Sequence, residues 1–293
     1  MKRNRTDHPS LAESDFGNGD TLLVDKEWNP KWARLFEGNG LRAIRISPDY
    51  GQSLDDIGWL SDLKGNGLVE IEVFSQTLRD LSPLHDFPDL RVLSLDCPKA
   101  ALPELSAFDQ LEHLRLTIPK RWHSPLALPR TLQSLILSRF PWSDLTSLAH
   151  LDKLRSLDLD SRTLEDLSVL PHLPALTVLS LYNTPKLRDF APIAQMSRLE
   201  VLGFDTVKGL DTLDFLQGLK RLRHLHIANC GRICSLAPLA ELTALESFGL
   251  VESRLKDMSL AALTGLPRLR ALRLPPNQGY RPPMAQVQQS LAR

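Results

Sequence analysis

Cysteine and net charge are both scarce in this chain, and each scarcity closes off a class of protein. Three cysteines in 293 residues, Cys97, Cys230 and Cys234, are too few and odd in number for a disulfide framework, which points to a reducing, cytoplasmic setting. Lysine plus arginine equals aspartate plus glutamate at 35 each, so the footprint of a general nucleic-acid binder is missing and no nucleic-acid partner is expected. No apolar run reaches the roughly 18–20 residues that cross a bilayer, so no membrane partner is expected either. The opening "MKRNRTDHPSLAESDFGNGD" has a basic head with no apolar stretch behind it, and no secretory signal is read there.

Motifs for chemistry are missing as well. Gly-Asn-Gly occurs at 17–19, 38–40 and 65–67, but no Lys-Ser/Thr helix start follows, so these read as turns with positive φ rather than phosphate loops. There is no nucleophile elbow and no HExxH, and carboxylates on an open sheet would lack the desolvation that tunes a general acid or base. Neither enzymatic activity nor a cofactor is expected.

What the chain does have is leucine at regular steps. The skeleton L-x-x-L-x-L starts at Leu41, Leu68, Leu90, Leu111, Leu132, Leu154, Leu176, Leu199, Leu222, Leu245 and Leu269, a period in the low twenties. Such a period identifies a leucine-rich-repeat solenoid. In the copy "LRSLDLDSRTLEDLSVLPHL" (154–173), Leu157 and Leu159 lie two apart and share one side of a short strand, while Ser156, Asp158 and Asp160 share the other. Leu164, Leu167, Leu170 and Leu173 then come three apart, the period of a 3₁₀-like return. The expected fold is therefore an α/β solenoid: a curved leucine-rich-repeat stack with a parallel concave β-sheet, 3₁₀ or short helices on the convex side, and a cap at each end.

Three segments sharpen this. "LRDLSPLHDF" (78–87), "LRDFAPIAQM" (187–196) and "ICSLAPLAEL" (233–242) each carry Ser/Ala-Pro-Leu/Ile between spaced apolar residues. Over residues 41–274 the pattern resembles the short, roughly 22-residue bacterial repeat of internalin-type proteins. Two features depart from that family. The ninth position, where an inward asparagine ladder would stand, holds Pro119, Phe140, Arg162, Thr184, Val207, Cys230 and Ser253, which predicts irregular turns. No secretion signal or anchor is read, so the family's extracellular adhesin role is not implied.

The chain is divided as a disordered N-terminus (1–15), an N-terminal cap (16–40), about eleven repeats (41–274) and a C-terminal cap (275–293). In the first cap, Asn29-Pro30 marks a helix start followed by Trp32, Leu35 and Phe36; in the second, Met284, Val287 and Leu291 share one side of a short helix.

Since the leucines are scaffold, function must sit between them. Glu70, Glu72, Phe74, Asp96, His113, Arg115, Asp158, Asp160, Tyr182, Asp205, His224 and His226 are expected on the concave face as a mostly acidic surface with apolar interruptions, suited to a protein partner with a basic surface. Gly203 and Gly249 should flank His226 and leave a pit around its ring. His224, His226 and Asp205 fall short of a metal ligand set, and Cys230 is read as a buried structural thiol. A second patch, Arg121, Trp122, Arg139, Phe140 and Trp142, lies on loops of adjacent repeats and reads either as a binding edge or as aromatic packing that seals the turns.

The resulting expectation is a non-enzymatic protein–protein interaction module, monomeric when free. The resemblance to bacterial leucine-rich repeats implies, most concretely, a cytoplasmic immunity-type protein that neutralises a toxin domain. The alternative is an effector or adaptor delivered to host cells by a signal-less route.

Overall fold

A computed structural model of the chain describes residues 10–13, 20–25, 27–47 and 54–291. It divides into two compact units, Met1–Leu135 and Ile136–Arg293.

In the first unit, β1 (Ser10–Glu13) runs antiparallel to β2 (Asp20–Val24). Parallel pairing then continues through β3 (Ala43–Ile46), β4 (Glu70–Phe74), β5 (Val92–Asp96) and β6 (His113–Thr117). Strand β7 (Ser134–Ser138) straddles the boundary between the units. In the second unit β8 (Ser156–Asp160), β9 (Val178–Tyr182), β10 (Val201–Asp205), β11 (His224–Ile233), β12 (Ser247–Leu255) and β13 (Ala271–Arg273) are parallel, each paired with the next along the chain. Every L-x-x-L-x-L site thus carries a strand, and the returns are short 3₁₀ turns or single helical turns such as Ser82–Asp86 and Ala191–Ala194. This is the leucine-rich-repeat architecture with its parallel sheet.

The leucines behave as their spacing dictates. Leu154, Leu157, Leu159, Leu164, Leu167, Leu170 and Leu173 are all buried. In the Ser/Ala-Pro elements, proline occupies the first turn of Ser82–Asp86, of a helical turn at Ala191–Ala194 and of Ala237–Glu241, where its missing N–H costs nothing. The aspartate two residues ahead often fixes the turn: Oδ1 of Asp80, Asp144, Asp166 and Asp189 accepts from the backbone N–H of Ser82, Thr146, Ser168 and Ala191 at 2.7–2.9 Å. The carboxyls of Asp80 and Asp144 are held below the usual range, at Asp80 by the backbone N–H and then the hydroxyl of Ser82, at Asp144 by the hydroxyl and then the backbone N–H of Thr146.

At the N-terminal end, Asn29 accepts from Lys31 N–H and opens a 3₁₀ turn, Pro30–Trp32, that leads into the helix α1 (Ala33–Asn39). Trp32 and Phe36 are buried while Leu35 is half-buried. Ser10–Glu13, inside the stretch read as disordered, instead pairs with β2; residues 1–9 and 14–15 lie outside the described residues. At the other end Val287 is the buried residue of a helix at Met284–Ser290. Gly40, Gly65 and Gly67 take positive φ, as turns require; the first Gly-Asn-Gly, at 17–19, lies outside the described residues. Among the described residues no helix is long and apolar enough to cross a membrane.

The expected inward ninth slot holds in five repeats and needs a correction at Arg162. Arg139, Asn183, Thr206, Asn229 and Glu252, each eighth in its repeat, have φ between 47° and 61°. This left-handed residue turns the next side chain inward, so Phe140, Thr184, Val207, Cys230 and Ser253 fill the slot and are buried. Where no residue takes that conformation, the eighth residue itself turns in. Ser161 is buried and Arg162 exposed: Ser161 Oγ donates to Phe140 O at 2.8 Å and accepts from the N–H of Thr163 and Leu164. Ser75 repeats the arrangement with Leu54 O, Thr77 N and Leu78 N. A hydroxyl at this slot thus serves the loop backbone as an asparagine would.

Candidate partner-binding face

The register sets the predicted face residues side by side within each unit. In the first unit Glu70 pairs with Ala43 and Val92, Glu72 with Arg45 and Ser94, and Phe74 with Asp96; His113 and Arg115 follow on β6 beside Val92 and Ser94. Their accessibility differs from expectation. Glu70 is 0% exposed and Glu72 1%, and Thr21 and Ser94 are buried with them. Both glutamates therefore leave the list of accessible acidic residues. Strand alternation shows that they point away from the leucine core, but they are buried on that side too. Burying a carboxylate needs a partner, and Arg45 supplies one: its Nε and Nη2 donate to Glu72 Oε1 at 2.9 and 2.7 Å. Arg115 is exposed, while Phe74, Asp96 and His113 are half-buried.

The second unit keeps its face open. Asp158 and Asp160 are half-buried on β8, and Tyr182 on β9 is 39% exposed, one of few large hydrophobic side chains so placed among the described residues. Asp160 and Asp205 are held from beside the strand. Asn183 Nδ2 donates to Asp160 Oδ1 at 3.1 Å, and Asp205 Oδ1 accepts from Thr206 Oγ1 at 2.7 Å and Asn229 Nδ2 at 3.0 Å. The donors are three of the left-handed residues, so these aspartates also brace the strand-end bends. Asp158 makes no such bond among the described residues, which leaves its carboxylate to solvent or a partner.

On β11, His226 pairs with Gly203 on one side and Gly249 on the other, as the spacing predicts. A Cβ on Gly249 would stand 2.8 Å from His226 Nδ1, so the glycine makes room for the imidazole. The result is a hollow of about 380 Å³ bordered by Tyr182, His224, His226 and Arg273 and floored by the glycines. Arg273 was not foreseen; it lies one strand beyond Gly249 in the same register row. Asp205 pairs with Ala228 rather than with either histidine, and among the described residues no three His, Cys, Asp or Glu side chains are placed to hold a metal ion.

The second patch divides by burial. Arg121 is exposed, but Trp122 is half-buried against a hollow of about 300 Å³ lined by Leu102, Pro103, Leu105 and Leu126, with its indole nitrogen shielded from solvent. In the other unit Arg139 is exposed, whereas Phe140 is 1% exposed and belongs to the core. The half-buried Trp142 meets Phe140 edge to face at 5.0 Å. Of the two readings of this patch, Phe140 follows aromatic packing that seals the turn and not a binding edge, because the left-handed Arg139 swings it inward.

Burial pushes the Cys97 thiol up to about 12 and the Cys230 thiol up to about 11, while Cys234 is exposed. The buried thiols are protonated at neutral pH and out of reach. Iodoacetamide at pH 8 should therefore add once to the native protein, at Cys234, and three times in denaturant, by intact mass; a second fast native adduct would contradict the burial.

No protein-family model matches the sequence, and a comparison with curated proteins gives no match either. Solved structures do match. An internalin (inlF) from Listeria monocytogenes aligns with a TM-score of 0.61 at 19% identity, over 93% of this chain and 85% of that one. The chain has an internalin-type leucine-rich-repeat fold. The functional domain of InlJ from Listeria monocytogenes aligns at 0.54 and 18% identity over 88% of this chain, and a TLR13–ssRNA13 complex at 0.54 and 17% over 92%. This chain spans 58% and 44% of those two.

Proposed function

We propose that this protein is a protein-interaction module that binds its partner through the open sheet face of the second unit. The observation that carries this reading is the hollow at His226, where glycines on both neighbouring strands clear space beside an exposed tyrosine and two histidines. A pit of this kind takes one anchoring side chain, while Asp158 and Asp160 a few strands away attract a basic surface around that anchor. The internalin-type fold supports it, since stacked repeats present side chains from many strands on one surface. In its concrete form the protein is a cytoplasmic, free-standing monomer that masks the working surface of a toxin domain, as an immunity protein does.

The test is capture of the partner from source cells with tagged protein, followed by titration of the purified pair. Asp158→Lys should weaken binding at least tenfold, and Asp158→Lys/Asp160→Lys should abolish it, with circular dichroism unchanged for the single variant. Asp160 also accepts from Asn183, so the single variant is the cleaner probe. Unchanged affinity in both would place the site elsewhere; a partner found only among host-cell proteins would favour a delivered effector instead.

A further inference from the structure

The strand-start edge of the second unit carries a feature that the sheet face does not explain. The residue before each repeat's first leucine runs Lys153, Ala175, Arg198, Arg221, Ala244, Arg268, a basic column interrupted by two alanines. The turns that carry the last three are alike, with Leu222, Leu245 and Leu269 N–H donating to Leu219, Leu242 and Leu266 O. Arg221, Ala244 and Arg268 therefore occupy equivalent places on three successive repeats. Parallel strands lie about 4.8 Å apart, so the two arginines stand about 10 Å apart. The short Ala244 side chain between them leaves a cleft of about 600 Å³, with Glu200, Lys220, Arg223 and Thr243 on its walls.

Charge accounting separates these cations. Lys220 is paired with Glu241 at 2.6 Å and Arg223 with Glu246 at 2.9 Å. Arg221 and Arg268 are exposed, and among the described residues neither has an ion-pair partner. Glu200 also lines the cleft and lies close enough to Arg223 to favour its charge, so the excess positive charge rests on the two guanidiniums of Arg221 and Arg268.

We infer that this cleft is a second binding site, for an acidic polypeptide segment in extended conformation. A guanidinium binds a carboxylate through two parallel N–H···O bonds, which a flexible ammonium cannot match. In a polyproline II segment residues i and i+3 lie on one side about 9.3 Å apart, close to the arginine spacing. Acidic residues three apart can therefore engage both arginines at once. Single-stranded nucleic acid fits less well, because unpaired bases are held by stacking and no aromatic side chain lines the cleft.

The test uses the full chain and a fluorescein-labelled peptide of Glu-Pro-Pro repeats, with anisotropy read in low salt. Wild type should bind it and not the Gln-Pro-Pro control. Arg221→Ala/Arg268→Ala should weaken binding at least tenfold, and Ala244→Trp, which fills the cleft without changing charge, should do the same. Asp158→Lys, on the sheet face, should leave it unchanged, so this site and the proposed partner site succeed or fail separately. The inference is overturned if the Glu peptide does not bind, if either cleft variant binds as wild type does, or if an oligo-dT 12-mer binds more tightly than the peptide.

Discussion

Leu157→Ala should lower the free energy of unfolding by about 2–5 kcal/mol, the span for emptying a buried leucine site. Leu157 is 0% exposed and sits within β8, in register with the equally buried Leu179 on β9. Removing its isobutyl group forfeits the transfer free energy and leaves a cavity that fixed backbones on either side cannot close. In a stacked array each repeat draws its stability from its neighbours, so the loss also weakens the interface with β9. Arg162→Ala, five residues on but exposed, should change stability by no more than about 0.5 kcal/mol. Urea titration followed by circular dichroism compares the two. A deficit below about 1 kcal/mol for Leu157→Ala would mean that the leucine stripe is not the load-carrying core.

That stripe was fully legible beforehand, because a period of two followed by a period of three admits few folds, and a strand stands at every site the skeleton marked. The pit was legible too: Gly203, His226 and Gly249 occupy equivalent places in consecutive repeats, and equivalent places in a parallel stack become neighbours. Burial on the outer face was not. Alternation in "EIEVF" tells which residues share a side, but not whether something covers that side, so Glu70 and Glu72 were read as a docking surface when they are interior. The inward slot was legible only in part: the ninth position turns inward in five repeats, but Arg162 is exposed and the eighth residue, Ser161, takes its place. One left-handed residue shifts the inward position by one, and only Asn183 and Asn229 among the five are types that favour this conformation. Arg139, Thr206 and Glu252 give no such local signal, so repeats in which the ninth residue turns inward cannot be told by residue type from those in which the eighth does.

The buried acid pair supplies the second large effect. Arg45→Met should cost about 3 kcal/mol or more, because it removes the guanidinium that donates twice to Glu72 Oε1 while leaving the carboxylate in a site 1% exposed. The double variant Arg45→Met/Glu72→Leu should recover most of that loss, since apolar residues of similar volume can replace a buried ion pair at little net cost. If instead Arg45→Met costs under about 1 kcal/mol, the pair behaves like an exposed one and Glu72 is accessible after all. The distinction matters for reading function. If Glu72 is interior, a charge reversal there abolishes partner binding by unfolding the first unit, and loss of binding would not mark a contact. Asp158→Lys, at a half-buried carboxylate in the second unit, removes a surface charge from a fold that does not depend on it. Only a loss of binding with unchanged stability identifies a docking residue, and Asp158 meets the structural conditions for it while Glu72 does not.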